Sequence, residues 1–161
     1  MSNDLTTTEL EEVKQIVCDE VDAIADILLE ASHAIHKNPE LNFEEHFAHE
    51  TLTGILEDQG LSPQRGAYDL ETAFEASVGD EGVCVAVLCE YDALPDIGHA
   101  CGHNIIGTAG LGAGIAASKV AERLGGTLRI LGTPAEEGGG GKVFMADRGA
   151  FDSVDAAMMA H

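Results

Sequence analysis

Three apolar runs, each followed directly by reactive side chains, constrain the fold of this chain more than any other feature. They span residues 83–88, 128–131 and 156–160, and their length and aliphatic content are typical of buried strands. In open α/β sheets, ligands bind beyond the carboxyl ends of the strands. We therefore expect the polar residues that follow these runs to converge at one edge of one sheet.

The segments between and around the runs predict an α/β fold. Apolar residues at helical spacing predict one helix from a capping box at Thr8 and Glu11 to about Asn38. A Gly-containing turn at residues 79–82 separates two β-rich runs and predicts a hairpin. Further helices are expected at residues 43–56, 104–123 and 142–148. The order β-α-β-α-β then implies parallel strands joined by right-handed crossovers.

The acidic composition limits the partners of this chain. Its 161 residues, a length that fits one domain, carry 29 acidic against 8 basic side chains, for a net charge of −21. Such a charge argues against nucleic acid and anionic membranes as partners. It indicates a well-solvated surface or, alternatively, the steering of cationic substrates. The N-terminus lacks a signal peptide's apolar core, and four cysteines do not make a secreted disulfide scaffold, so we expect a cytoplasmic protein with reduced thiols.

Two short motifs supply most of the candidate chemistry. Cys101-Gly102-His103 offers a thiolate and an imidazole, which are good ligands for zinc and related metals. Glu136 and Glu137 are adjacent in a loop, so one carboxylate could ligate a metal while the other handles protons. Each motif also has a plainer interpretation, as a core cysteine and a helix-start histidine or as an exposed acidic loop. Taken one at a time, the motifs leave both interpretations open.

Several other polar residues add to this set. Asp92, just after the first run, could orient a histidine or another ligand. His161 could be a further metal ligand or simply a solvated residue. Two pairs of histidines lie three residues apart on predicted helices, and we expect both at the surface rather than on a metal. These pairs are His33 with His36 and His46 with His49.

Four segments together resemble one family of enzymes. The segments EYDALP at 90–95, GHACGHN at 98–104, PAEEG at 134–138 and HKNPELNFEE at 36–45 are similar to the aminoacylase, carboxypeptidase G and aminobenzoyl-glutamate hydrolase family of metallopeptidases. The segments EYDALP and HACGHN are most similar to the aminobenzoyl-glutamate hydrolase and dipeptidase branch of this family. The resemblance implies a three-layer αβα zinc-peptidase-like catalytic domain with a largely parallel sheet. It further implies that residues 1–161 form only the N-terminal portion of that domain, without the dimerisation domain and the C-terminal half.

The resemblance also assigns roles to residues of this chain. It implies Glu136 as the general base and Asp92 as a helper aspartate, and it implies two divalent ions, Zn²⁺ first and Mn²⁺ or Co²⁺ as alternatives. Many relatives with simpler motifs carry a histidine two residues before this aspartate, where this chain has Glu90, so His103 is expected to serve instead. The family's late histidine ligand has no counterpart here. The implied metal ligands are Cys101, His103, Glu137 and His161.

The implied activity is metal-dependent hydrolysis of a small amide. The bond would belong to an N-acyl amino acid, an aminobenzoyl-glutamate-like compound or a dipeptide, and Glu136 would activate a metal-bound water. The full-length protein is expected to be a homodimer. Two alternatives remain open: a cysteine hydrolase with Cys101 as nucleophile, and a catalytically incomplete fragment that binds metal or a partner without turnover.

Overall fold

The computed structural model describes residues 5–161, and its centre is a five-stranded mixed sheet. The strands are β1 (Gln64–Arg65), β2 (Phe74–Val78), β3 (Cys84–Cys89), β4 (Thr127–Gly132) and β5 (Ala156–Met158), in the spatial order β1-β2-β4-β3-β5. As the sequence predicts, β3 runs parallel to both β4 and β5. The two remaining pairings, β2 with β4 and β1 with β2, are antiparallel.

The predicted hairpin between β2 and β3 is wrong. Both strands are present, but β4 lies between them and pairs with each. The residues of β4 are largely buried, so this strand needs a neighbour on both sides to satisfy its backbone hydrogen bonds. The turn after β2 instead packs on the turn before β4: a Cβ added to Gly79 would lie 2.4 Å from the carbonyl oxygen of Gly126.

Within residues 5–161, five helices surround the sheet: α1 (Thr7–Ala23), α2 (Ala25–Lys37), α3 (His46–Asp58), α4 (His103–Ala121) and α5 (Gly141–Asp147). The single helix predicted from Thr8 to Asn38 is in fact two, because the chain breaks at Ile24 and buries this residue in the core. Its capping box is Thr6 with Glu9 rather than Thr8 with Glu11. The Thr6 amide donates to Glu9 Oε2 over 2.8 Å and the Glu9 amide donates to Thr6 Oγ1 over 3.3 Å.

The helices form layers on both faces of the sheet, which confirms the three-layer α/β architecture. On one face, apolar side chains of α2, α3 and α4 pack against β2, β3 and β4, with Leu52, Leu111 and Ile130 fully buried. On the other face, Met145 of α5 packs with Leu88 and other side chains of the sheet. None of the helices in residues 5–161 is both long and apolar enough to cross a membrane.

Close packing of α4 on β3 fixes where the helix begins. A Cβ added to Gly110 would lie 2.5 Å from the carbonyl oxygen of Leu88, and one added to Gly107 would lie 2.8 Å from that of Glu90. Glycine at both positions therefore lets the helix axis approach the strand. This contact places His103, the first residue of α4, beside the carboxyl end of β3.

Candidate metal centre

The candidate site lies at the carboxyl ends of the parallel strands. Asp92 and Glu90 follow β3, Glu136 and Glu137 follow β4, and His161 follows β5. The loop after β3 returns through a short 3-10 turn, His99–Cys101, and leads directly into α4 at His103. The expected convergence of these segments at one sheet edge is therefore present.

His103 is the central residue of the site and is almost fully buried. Its Nδ1 lies 3.1 Å from Asp92 Oδ1 and 2.9 Å from the Asp92 carbonyl oxygen. A proton on Nδ1 is donated to Asp92, which leaves the lone pair of Nε2 free to bind a cation. Nε2 in turn lies 3.8 Å from Glu137 Oε1 and 3.7 Å from Glu136 Oε2.

Burial and hydrogen bonds shift the pKa values of Asp92 and His103 in opposite directions. Burial disfavours the Asp92 anion, but hydrogen bonds from His103 and from the backbone amide of Glu137 outweigh it and lower the pKa of Asp92. Burial also disfavours the imidazolium of His103, yet the hydrogen bond with Asp92 and the charge of Glu90 raise its pKa. The Glu137 amide donates to Asp92 Oδ2 over 2.9 Å, so Asp92 positions both His103 and the acidic loop.

Cys101, His103 and Glu137 offer three ligand atoms that all lie within 4.8 Å of one another. Sulfur, imidazole nitrogen and carboxylate oxygen together form a donor set that suits Zn²⁺ and related cations. Burial raises the pKa of the Cys101 thiol and Glu137 raises it further, so the thiol must lose a proton when a cation binds. The side chains therefore fit a divalent cation.

His161 is the predicted ligand that lies outside this set. Its side chain is 71% exposed, and its Nε2 lies 3.8 Å from Glu90 Oε1. Glu90, His103 and His161 form a second group whose ligand atoms are all within 4.8 Å of one another. The two groups share only His103.

Sequence reasoning missed Glu90 and Lys142 as parts of the site. Glu90 is fully buried, its Oε1 lies 3.2 Å from His103 Nε2, and its Oε2 accepts a hydrogen bond from Lys142 Nζ. A carboxylate at the end of a buried strand was the available signal, since such a charge is buried only with a partner. The position of Lys142 depends on the turn before α5, which the sequence does not specify.

Glu45 was also missed, and it supports the acidic loop from behind. It is fully buried, with Oε1 accepting from the Ala135 amide over 2.8 Å and Oε2 accepting from the Thr72 hydroxyl over 2.7 Å. Burial raises the pKa of Glu45. Ala135, directly before Glu136, has a φ of 58°, a left-handed conformation that is unfavourable for alanine and needs support of this kind.

The histidine pairs are mostly where the sequence predicts them. His33, His36 and His46 are exposed, but His49 is buried, so its predicted place at the surface is wrong. On α3 it faces the sheet, with its ring centroid 6.1 Å from that of Phe74, and burial lowers its pKa. A spacing of three residues leaves the two side chains about 60° apart around the helix, so His46 stays at the surface while His49 lies at the edge of the buried face.

Comparison with known proteins is consistent with this site. Residues 86–161 match the family described as Peptidase family M20/M25/M40. The chain is 39% identical over 170 residues to a mouse (Mus musculus) Xaa-Arg dipeptidase, covering 97% of the chain and 39% of the dipeptidase. It is 37% identical over 171 residues to one of the subunits of p-aminobenzoyl-glutamate hydrolase from Escherichia coli (strain K12), covering 94% of the chain and 36% of that protein. The chain thus spans about two fifths of the length of these relatives.

Solved structures share the fold. A Bacillus subtilis protein described as a dinuclear metal binding peptidase superposes with a TM-score of 0.75 at 24% identity, over 84% of this chain and 42% of that one. A putative aminohydrolase from methicillin-resistant Staphylococcus aureus superposes with a TM-score of 0.78 at 21% identity, over 89% and 41%. At these identities the likeness concerns the fold.

Proposed function

This chain belongs to peptidase family M20/M25/M40, and we propose that it forms the metal-binding part of a hydrolase that cleaves the amide bond of a small molecule. The substrate is an N-acyl amino acid, an aminobenzoyl-glutamate-like compound or a dipeptide. Two relatives, one named as a dipeptidase and one as part of an aminobenzoyl-glutamate hydrolase, support this class of substrate. The observation that carries the proposal is the close approach of thiol, imidazole and carboxylate beside a second carboxylate, Glu136.

The metal centre would use the four side chains implied by the sequence. Cys101, His103, Glu137 and His161 would hold two divalent cations, and the sulfur and nitrogen donors favour Zn²⁺ over harder cations, with Mn²⁺ or Co²⁺ as alternatives. When bound, such cations supply Lewis acidity toward the scissile carbonyl and lower the pKa of water. A fold match to a protein described as a dinuclear metal binding peptidase supports this composition.

Proton transfer falls to Glu136 in this proposal. Its side chain is 38% exposed, so it can reach substrate, while its Oε2 lies 3.7 Å from His103 Nε2. Glu136 takes a proton from the attacking water and returns it to the leaving amine nitrogen. Asp92 acts through His103, because its carboxylate fixes which ring nitrogen carries the proton.

The remaining expectations concern the whole protein. Residues 1–161 would form the N-terminal portion of the catalytic domain, in a protein that is a homodimer at full length and resides in the cytoplasm. The length of the relatives supports the first point. All four cysteines are free, as expected in a reducing compartment.

A pair of neighbouring variants tests the proposed roles. In the protein that contains these residues, Glu136→Gln should keep bound metal and lower kcat about 10²–10⁴-fold, because only the proton carrier is lost. Glu137→Gln should lower both metal content and activity, because a ligand is lost. Metal content by elemental analysis and turnover of N-acyl amino acids and dipeptides are the measurements. Full activity of Glu136→Gln would remove the general base from the mechanism.

One alternative is supported by the length of the chain relative to its relatives. These 161 residues, taken alone, would bind metal or a partner without turnover. Metal binding with no hydrolysis by the 161 residues, and hydrolysis by a longer version, would support that assignment.

A cysteine hydrolase is disfavoured because burial raises the pKa of Cys101, whereas a thiol nucleophile needs a lowered pKa. A metal-dependent hydrolase would lose activity on chelation, whereas a cysteine hydrolase would keep activity on chelation and lose it on alkylation.

A further inference from the structure

Glu90 has one carboxylate oxygen that the protein leaves without a hydrogen bond. The residue is fully buried, and among residues 5–161 Oε1 has no assigned hydrogen-bond partner, whereas Oε2 accepts from Lys142 Nζ. Leaving a buried charged oxygen unpaired is costly, and native proteins seldom do so without a reason. The neighbours of Oε1 therefore need an explanation.

Those neighbours are the ring nitrogens of two histidines. His103 Nε2 lies 3.2 Å and His161 Nε2 lies 3.8 Å from Glu90 Oε1. Because His103 gives its Nδ1 proton to Asp92, its Nε2 carries a lone pair in the neutral ring. At this distance the lone pair and the carboxylate oxygen repel each other unless a proton on Nε2 or a bound cation lies between them, and a cation binds Nε2 only in the neutral ring.

We propose that Glu90, through Oε1, is a ligand for a divalent cation, together with the imidazoles of His103 and His161. The three ligand atoms lie within 4.8 Å of one another, and one oxygen with two nitrogens is a common donor set for a transition metal. Lys142 compensates part of the carboxylate charge at the other oxygen, so the carboxylate binds two cationic groups. This inference rests on the proposed metal centre and adds a ligand that the family resemblance does not assign.

Metal titration of matched variants tests the role of Glu90. Zn²⁺ affinity and stoichiometry are measured by calorimetry for the wild type, for Glu90→Gln, and for the control Glu75→Gln. Glu75 pairs with Arg129 as Glu90 pairs with Lys142, but it lies outside both ligand groups. Glu90→Gln should bind one cation at least tenfold more weakly, whereas Glu75→Gln should match the wild type.

Cobalt substitution shows whether Glu90→Gln weakens metal binding only at the group that contains Glu90. In Glu90→Gln loaded with Co²⁺, the thiolate-to-metal absorption from Cys101 should remain, because the group of Cys101, His103 and Glu137 is intact. A second variant, Lys142→Met, leaves Glu90 in place and removes its competing cation, so it should bind Zn²⁺ more tightly than the wild type. Circular dichroism confirms folding of each variant, and the Lys142 result stands if Glu90→Gln does not fold.

The outcomes separate this inference from the proposed function. Wild-type affinity and stoichiometry in Glu90→Gln, or weaker binding in Lys142→Met, would overturn the role of Glu90 and leave the rest of the metal centre standing. A wild-type protein that binds no Zn²⁺ would overturn the metal centre itself.

Discussion

At the scale of single residues, Asp92 has the widest influence on the site. One oxygen orients the His103 ring and the other holds the amide of Glu137, so a single carboxylate aligns two candidate ligands from different segments. The sequence identified Asp92, Glu136 and the candidate ligands because they belong to recognisable motifs. It did not identify Glu45, Glu90 or Lys142, whose importance comes from burial and from partners far along the chain.

Removing the charge of Asp92 should weaken metal binding without removing a ligand. Asp92→Asn is expected to lower Zn²⁺ affinity about 10–100-fold, because an amide no longer fixes the proton on His103 Nδ1. Calorimetric titration measures the change. The control is Asp155→Asn, in which the substituted carboxylate accepts from the Cys84 amide away from the site. Equal affinities in the two variants would show that Asp92 does not act through His103.

Metal affinity should also depend on pH. The pKa of His103 is raised above its ordinary value of 6.5 and that of Cys101 above 9.0. Protons therefore compete with the cation up to higher pH than at an ordinary site, and binding must release them. We expect Zn²⁺ affinity to increase steadily as pH rises from about 6 to 8. Calorimetry in buffers of different ionisation enthalpy measures the released protons, and a flat profile without release would contradict this account.

At the scale of secondary-structure elements, the contact between α4 and β3 determines the geometry of the site. The sequence predicted α4 and its small residues, and it predicted strands β3 to β5 within a few residues. It failed for the β2–β3 hairpin and the break at Ile24. Both failures have the same origin: strand order and helix breaks depend on contacts between distant segments, which local periodicity does not contain.

A methyl group at the α4–β3 contact should disturb the fold and the site together. Gly110→Ala places its Cβ against backbone of Leu88 and should destabilise the protein by about 1–3 kcal/mol. Gly54→Ala in α3 meets no atom within 4 Å and should stabilise by about 0.4–1 kcal/mol. Urea unfolding of the metal-free proteins measures both. Equal effects of the two substitutions would show that close packing of α4 is unimportant.

At the scale of the whole molecule, charge is the dominant property. The chain carries −21, and many of its carboxylates are exposed, so repulsion between them opposes the folded state. The four candidate ligands lie at one sheet edge even though the chain segments that carry them are separated by up to 60 residues. Composition predicted the acidic surface. It could not predict how close these segments lie to one another, because that depends on the order of the strands in the complete sheet.

Salt should therefore stabilise the metal-free protein. Raising NaCl from a few millimolar shortens the distance over which charges interact to about 4 Å near 0.5 M. We expect Tm to rise over this interval and to level off above it. Thermal unfolding followed by circular dichroism at a series of salt concentrations is the measurement. An unchanged or falling Tm would show that charge repulsion is not a significant cost to folding.

X-ray absorption at the zinc edge tests the central claim most directly, namely that Cys101, His103 and Glu137 bind a common cation. For the Zn²⁺-loaded protein we predict sulfur at about 2.3 Å together with nitrogen and oxygen at about 2.0–2.2 Å. The sulfur contribution should disappear in Cys101→Ser and persist in Cys18→Ser. A spectrum with only nitrogen and oxygen neighbours in the wild type, or sulfur that persists in Cys101→Ser, would contradict the account.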